Sequence, residues 1–357
     1  EPSQIPVIDN VLTQQQLFGY NAEDLKILLK PMALHGEEAL GSMGVDTPIA
    51  VLSEKPQLLY NYFKQLFAQV TNPPLDAIRE ALVTSSITNL GRQRDIFNES
   101  AGHCRLLKIE SPVLSNQQLQ QIRQSGIEQL RTETLPMFYA VQDGGDGLAT
   151  ALQALCVHAE QAVDDGASLL ILSDRGANTK NTPIPAMLAT GAVHHHLIRC
   201  GKRSLCGLIV ETAEAREVHH FACLIGYGAG AINPYLALAS IERMIADGSL
   251  TDAETSETIS TDKAIYHFIK AVEKGVVKVM SKIGIATLQS YRGGQIFEAI
   301  GLNSEVIDAY FTGTRTRIAG AGLQELADDI AHRHQQAYPS QVIAAQIELD
   351  VGGVYQW

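Results

Sequence analysis

Leu169-Leu170-Ile171-Leu172-Ser173, Leu205-Cys206-Gly207-Leu208-Ile209-Val210 and Ala231-Ile232-Asn233 are three short apolar runs, and each is followed by a stretch with helical spacing. Runs this short, apolar at nearly every position and bounded by turn residues, read as strands buried on both faces. The helices that follow them are expected over 185–199, 213–225 and 235–246. Upstream, Met137-Phe138-Tyr139-Ala140-Val141 extends the series as a further strand, with a helix running to about Asp164. A chain that alternates strand and helix in this way crosses over to lay each strand parallel to the last. No G-x-G-x-x-G opens a helix after a strand. Gly226, Gly228 and Gly230 precede the run at Ala231 and read as a helix end and a turn. The number of units favours an α/β fold of parallel β/α units, a rudimentary (β/α)-barrel relative, over a dinucleotide-binding sheet.

Before this core, 23–40 reads as a helix that stops at Gly41, and Pro48-Ile49-Ala50-Val51-Leu52-Ser53 as a buried strand. Leu58, Leu59, Tyr62, Phe63, Leu66 and Phe67 fall at helical spacing and predict a helix over 56–69, ended by Thr71-Asn72-Pro73-Pro74. The stretch 91–135 is less regular, with a strand near 105–110 and a Gln-rich helix from Asn116, and reads as a peripheral excursion. After an acidic connection at 251–261 come a helix over 263–281, an apolar step at 283–286 and a helix beginning near Gly294. One domain of 357 residues accommodates all of this: 1–90 carries the two loops discussed below, 136–340 the regular repeats, and 341–357 a connection onward.

The composition narrows the partners. With 45% hydrophobic and 18% charged residues the chain has the content of a folded globular protein. Asp and Glu number 39 against 27 Lys and Arg, a net charge of -12, which repels phosphate backbones and speaks against nucleic acid. No apolar run approaches the roughly 18 residues of a membrane span, and Glu1-Pro2-Ser3-Gln4 has no signal-peptide character, so a cytoplasmic or organelle-matrix protein is expected. The start without Met and the stop at Tyr355-Gln356-Trp357 suggest a segment of something longer. Five cysteines at irregular spacings suit buried, reduced thiols. Cys200 and Cys206 have no matching second pair for an iron–sulfur or zinc site.

In parallel α/β folds the active site lies beyond the carboxyl ends of the strands, where Ser173-Asp174-Arg175, Glu211-Thr212 and Asn233-Pro234 fall. One reading is a hydrolase or lyase for a small anionic substrate, with Asp174 or Glu211 as acid or base and Arg175 or Arg216 as anion clamp. The other is that Asp174, Glu211 and Arg216 form ion pairs that close the sheet end. His194-His195-His196 and His219-His220 admit zinc between one His of each helix, such as His195 and His219, with Glu217. Consecutive helical residues point about 100° apart, so polar helix contacts are the alternative, and no metal site is expected. Gly41-Ser42-Met43-Gly44 exposes a thioether and backbone N–H groups suited to a flat ring or a phosphate. With the rigid loop at Thr71-Asn72-Pro73-Pro74 it either lines a cofactor pocket or is an ordinary connection.

Gly41-Ser42-Met43-Gly44, Asp46-Thr47-Pro48-Ile49-Ala50 and Val70-Thr71-Asn72-Pro73-Pro74 resemble the central domain of the glutamate synthase large subunit. So do Leu172-Ser173-Asp174-Arg175, Gly191-Ala192-Val193-His194-His195-His196, Glu214-Ala215-Arg216-Glu217-Val218-His219-His220, Lys278-Val279-Met280-Ser281-Lys282 and Gln289-Ser290-Tyr291-Arg292-Gly293. The resemblance runs in order along essentially the whole chain. It implies a non-catalytic domain between a glutamine amidotransferase and a synthase domain that holds FMN and an iron–sulfur cluster. Glutamine would be hydrolysed at the first site, and ammonia would cross a tunnel to 2-oxoglutarate at the flavin, giving two glutamates. Ferredoxin or a NAD(P)H-oxidising subunit would supply electrons. It further implies that Met43, Gly44, Thr71 and Asn72 face the FMN site and the tunnel exit, that this segment itself holds no cofactor, and that the location is the cytoplasm or the plastid stroma. Val45, Ile283 and Ala286 depart from the family pattern.

Overall fold

The computed structural model describes residues 8, 10–39, 47–66, 76–251, 259–339 and 348–353. Its centre is a four-stranded parallel sheet of β1 (Thr132–Pro136), β2 (Leu169–Ser173), β3 (Gly207–Glu211) and β4 (Ala231–Asn233), ordered β1-β2-β3-β4. Helices α1 (Gly144–Asp164), α2 (Ala186–Arg199) and α3 (Val218–Gly226) make the crossovers, and α4 (Tyr235–Ala246) follows the last strand. Each strand is added on the same side of its predecessor, in register from Thr132 opposite Leu169 to Glu211 opposite Asn233. That unreversed winding is the winding of a (β/α) barrel, here built with half of the eight strands that a complete barrel has. The α/β class and the parallel β/α units are as the sequence predicts.

Alternation along β2 and β3 sends side chains to two separate covers. Leu170, Leu172, Leu208, Val210 and Ile232 pack into the main core with the crossover helices. Leu169, Ile171, Ile209 and Ala231 point the other way, onto Leu90, Leu114, Leu119 and Ile122. This second cover comes from the stretch read as peripheral: an antiparallel ribbon of Thr88–Leu90 with Leu107–Ile109, then the helix Asn116–Arg123. Between them Val113 lies parallel beside Ile232, with Leu114 N donating to Ile232 O at 2.8 Å and Ile232 N to Pro112 O at 2.8 Å.

Several local expectations are corrected. The first sheet strand is Thr132–Pro136 and not 137–141; Phe138–Ala140 leaves the sheet to pair antiparallel with Asn181–Pro183. An edge strand with one wet side tolerates Thr and Glu, and so its apolar signal is weak. The helix expected over 56–69 is a 3₁₀ turn, Leu59–Tyr62, leading into a strand, Phe63–Gln65, within the described part of that range. That strand pairs with Phe297–Ala299, itself a strand where a helix from Gly294 is expected. Tyr60, Tyr62 and Phe63 are all buried by the surrounding tertiary structure, which mimics a helical stripe. Ala50–Leu52 is a 3₁₀ turn and not a strand. The 23–40 helix is a π-helical segment, Asp24–Leu29, and an α-helix, Lys30–His35, that ends at Gly36 with φ +67° and not at Gly41.

Gly191 shows how tightly α2 is packed. A Cβ there would sit 2.5 Å from the carbonyl oxygen of Tyr310 and 3.0 Å from the Phe311 ring. Gly191→Ala is therefore expected to destabilise the chain by about 1–3 kcal/mol through overpacking. Urea denaturation followed by circular dichroism reads this directly, and an unchanged midpoint would contradict the close approach.

Candidate functional site

The strand ends bring the sequence-predicted residues to one end of the sheet, but into three separate arrangements. Glu211, at the last position of β3 and 2% exposed, receives Arg123 Nη2 at 2.8 Å and Ser173 Oγ at 2.5 Å on Oε2, and Arg175 Nε at 2.9 Å on Oε1. Burial alone would raise its pKa, but Arg175 and Arg123 outweigh burial and hold the carboxyl below the usual range. The Arg175 guanidinium also lies 4.1 Å over the Tyr235 ring. Both carboxylate oxygens of Glu211 are thereby engaged by this chain's own groups.

Asp174, fully buried, has no such cation. Its carboxyl accepts Thr212 Oγ1 at 2.6 Å and the Ala213 amide at 3.0 Å, so it braces the turn after β3. Burial pushes its pKa up to about 8 despite the Thr212 hydrogen bond. Arg216 belongs to a third group. Its Nε meets Asp24 Oδ2 at 2.9 Å, its Nη atoms reach the carbonyls of Phe18 (3.3 Å) and Gly19 (2.7 Å), and its guanidinium lies 4.2 Å over Tyr20. Arg216 anchors the N-terminal segment to the sheet end.

A cavity of about 430 Å³ opens over Arg216, walled by Tyr20, Asp24, Lys55, Glu217, His220 and Arg333 among others. Neither Asp174 nor Glu211 reaches its wall. The three residues of the enzyme reading therefore do not share an open site. The ion-pair reading is nearer, with two amendments: Asp174 is buried against Thr212 and Ala213 and not in an ion pair, and the partners of Glu211 and Arg216 are Arg123, Arg175 and Asp24.

The histidines are also apart. His194 accepts Arg203 Nε on Nδ1 at 2.9 Å, and burial drives its pKa down to about 2. His219 contacts the Tyr60 carbonyl at 3.1 Å and His220 pairs with Glu217 at 2.9 Å, while His195 lies edge-on against His194. His195, His219 and Glu217 do not form a ligand set. Among the described residues the cluster that does bring potential metal ligands together is Glu160, His196 and Cys200. Sequence reasoning passed over it, although His196 and Cys200 stand four apart on one helix. It also passed over Arg123, Asp24 and Tyr20, whose partners lie far along the chain. Met43, Gly44, Thr71 and Asn72 lie outside the described residues.

Comparison with known proteins gives these arrangements a context. Residues 13–303 match the family model described as the glutamate synthase central domain. The chain belongs to this family. As such a central domain it is 47% identical over 348 residues to the glutamate synthase [NADPH] large chain of Bacillus subtilis, covering 98% of this chain and 22% of that one. It is 45% identical over 336 residues to the ferredoxin-dependent glutamate synthase 2 of Synechocystis, covering 92% and 21%. The central domain thus spans about a fifth of the length of these relatives. They differ by name in electron donor, so similarity to this domain does not select one. Spinach and Arabidopsis relatives are named chloroplastic. Among the described residues no helix is long and apolar enough to cross a membrane. A solved mandelate oxidase variant superposes on 78% of the chain at 8% identity with a TM-score of 0.35, too slight a likeness to build on.

The neutral state of Asp174 is testable through linkage. Its folded pKa of about 8 lies above its ordinary value of 3.8, so the folded state keeps a proton that the unfolded chain has released. The stabilisation is complete below about pH 4 and is lost as pH rises through about 8. Asp174→Asn keeps a neutral side chain at every pH. The unfolding free energy of the native chain is expected to fall relative to that of Asp174→Asn between those limits, measured by urea titration at a series of pH values. Parallel pH curves would show that Asp174 is ionised in the fold.

Proposed function

We propose that this central domain is a non-catalytic spacer in a glutamate synthase, joining a glutamine amidotransferase domain to an FMN-binding synthase domain and forming part of the ammonia tunnel and flavin-site wall. The observation that carries this reading is the internal consumption of the strand-end groups. Glu211, Asp174 and Arg216 sit where a barrel enzyme presents its chemistry, yet each is buried against partners from this chain. A domain that holds Glu211, Asp174 and Arg216 in internal contacts at that place is suited to shaping a neighbour's site.

In this reading residues 341–357 begin the connection to the synthase domain, which would hold FMN and an iron–sulfur cluster, with ferredoxin or a NAD(P)H-oxidising subunit as electron source. Met43 and Gly44 would cover the flavin, since an apolar thioether packs well on a flat ring, while Thr71 and Asn72 would offer polar contacts at the tunnel exit. Enclosure matters chemically: ammonia released to neutral water is protonated and ceases to be a nucleophile.

Two experiments test the proposal. The 357-residue chain, purified alone, is expected to be colourless and to show neither glutaminase nor glutamate-forming activity; a bound flavin, or turnover abolished by Asp174→Asn, would overturn the non-catalytic assignment. In the complete enzyme, Met43→Ala or Asn72→Ala is expected to let glutamine consumption outrun the glutamate formed from 2-oxoglutarate. Coupling as tight as in the parent enzyme, in both variants, would remove these residues from the tunnel exit.

A further inference from the structure

Glu160 on α1 meets His196 and Cys200, from the last turn of α2 and its cap, on a half-exposed face remote from the strand carboxyl ends. Glu160 Oε2 stands 2.9 Å from His196 Nε2 and 3.5 Å from Cys200 Sγ, and Sγ stands 3.6 Å from Nε2. We propose that these three side chains form a zinc site that clamps α1 to α2.

The spacing carries the argument. Residues four apart on a helix lie one above the other on the same face, which aligns His196 with Cys200. Ligand bonds of ordinary zinc length at tetrahedral angles place oxygen and sulfur about 3.5 Å apart, nitrogen and sulfur about 3.6 Å, and nitrogen and oxygen about 3.3 Å. Two of the three separations are already present. The third needs an opening of about 0.4 Å, available to Glu160, whose side chain is 31% exposed. The donor set of thiolate, imidazole and one carboxylate oxygen suits zinc, whereas calcium and magnesium require oxygen throughout. Asp164, one helical turn beyond Glu160 and about half exposed, stands next to the trio.

Lys202 sharpens the inference. Its Nζ lies 2.8 Å from Glu160 Oε1 and 2.7 Å from Asp164 Oδ2, so it uses the carboxylate oxygen that the ion does not need. It can remain with Asp164 when zinc takes Oε2. Its ammonium nevertheless opposes a second positive charge nearby, and this gives the site a signature that an ordinary ion-pair cluster lacks. The position explains the role. α1 and α2 are successive crossovers of the sheet, and an ion here would pin them together near the start of β3, away from the groups at the strand ends.

The test is a Co²⁺ titration of the chelator-treated 357-residue chain. Expected are one Co²⁺ per chain, tetrahedral visible absorption with a thiolate-to-cobalt charge-transfer band, displacement by Zn²⁺, and a rise in the thermal midpoint on adding Zn²⁺. Cys200→Ser should abolish the thiolate band, His196→Ala should weaken binding at least about tenfold, and Lys202→Ala should tighten it about tenfold. Far-ultraviolet circular dichroism establishes that each variant is folded. Absence of a thiolate band, or a band that survives Cys200→Ser, overturns the site; weaker or unchanged Co²⁺ binding in Lys202→Ala does so as well, because an ion-pair cluster would only loosen when that ammonium is removed.

Discussion

β2 and β3 expose no side chain at any of their ten positions, five in each, so the sheet has to be covered on both faces. The crossover helices supply one cover as a by-product of parallel winding, because each has to pass over the sheet to reach the next strand. The other cover has no such guarantee and is built from the ribbon and helix that precede β1. That helix ends at Arg123, whose guanidinium reaches Glu211 at the end of β3, so this ion pair joins the backbone hydrogen bonds between 112–114 and Ile232 in tying the cover to the sheet. Covering the second face and neutralising the strand end are in this way one solution.

The strand ends show two answers to the cost of burying a carboxyl. Two arginines converging on Glu211 hold its pKa below the usual range, whereas burial pushes that of Asp174, which no arginine pairs, up to about 8. The two residues are neighbours across the sheet, with the Asp174 amide donating to the Glu211 carbonyl at 3.1 Å, yet their environments push their protonation in opposite directions. In an enzyme such a divided pair would be a candidate acid and base. Here each carboxyl is engaged by its own set of partners within the chain.

The fold was legible in the sequence where burial is complete. Leu169–Leu172 and Ala231–Ile232 are apolar because both faces are covered, with a polar residue only at each strand's carboxyl end, and the 235–246 helix coincides with the observed Tyr235–Ala246. It was illegible where tertiary surroundings override local pattern. Thr132–Pro136 is an edge strand with polar residues, and Tyr60, Tyr62 and Phe63 are buried by neighbours and not by a helical face. At the strand ends the residue types were visible but their partners were not: Asp24 and Arg216, or Arg123 and Glu211, are distant in the chain and share no motif. The Glu160, His196 and Cys200 trio falls between these cases, since the helical pair could be read and the third member could not.

By itself the sequence determined the family, the parallel β/α alternation and the acidic, apolar-cored character of the chain. These depend on residue type and local order, which the chain carries along its length. Only the tertiary structure decided that Glu211, Asp174 and Arg216 are spent internally, that the stretch before β1 is a cover for the sheet, and that a thiol, an imidazole and a carboxylate meet on α1 and α2. The physical reason is common to all three. Whether a polar side chain is free, paired or protonated depends on which distant groups share its burial, and that is a property of packing in three dimensions.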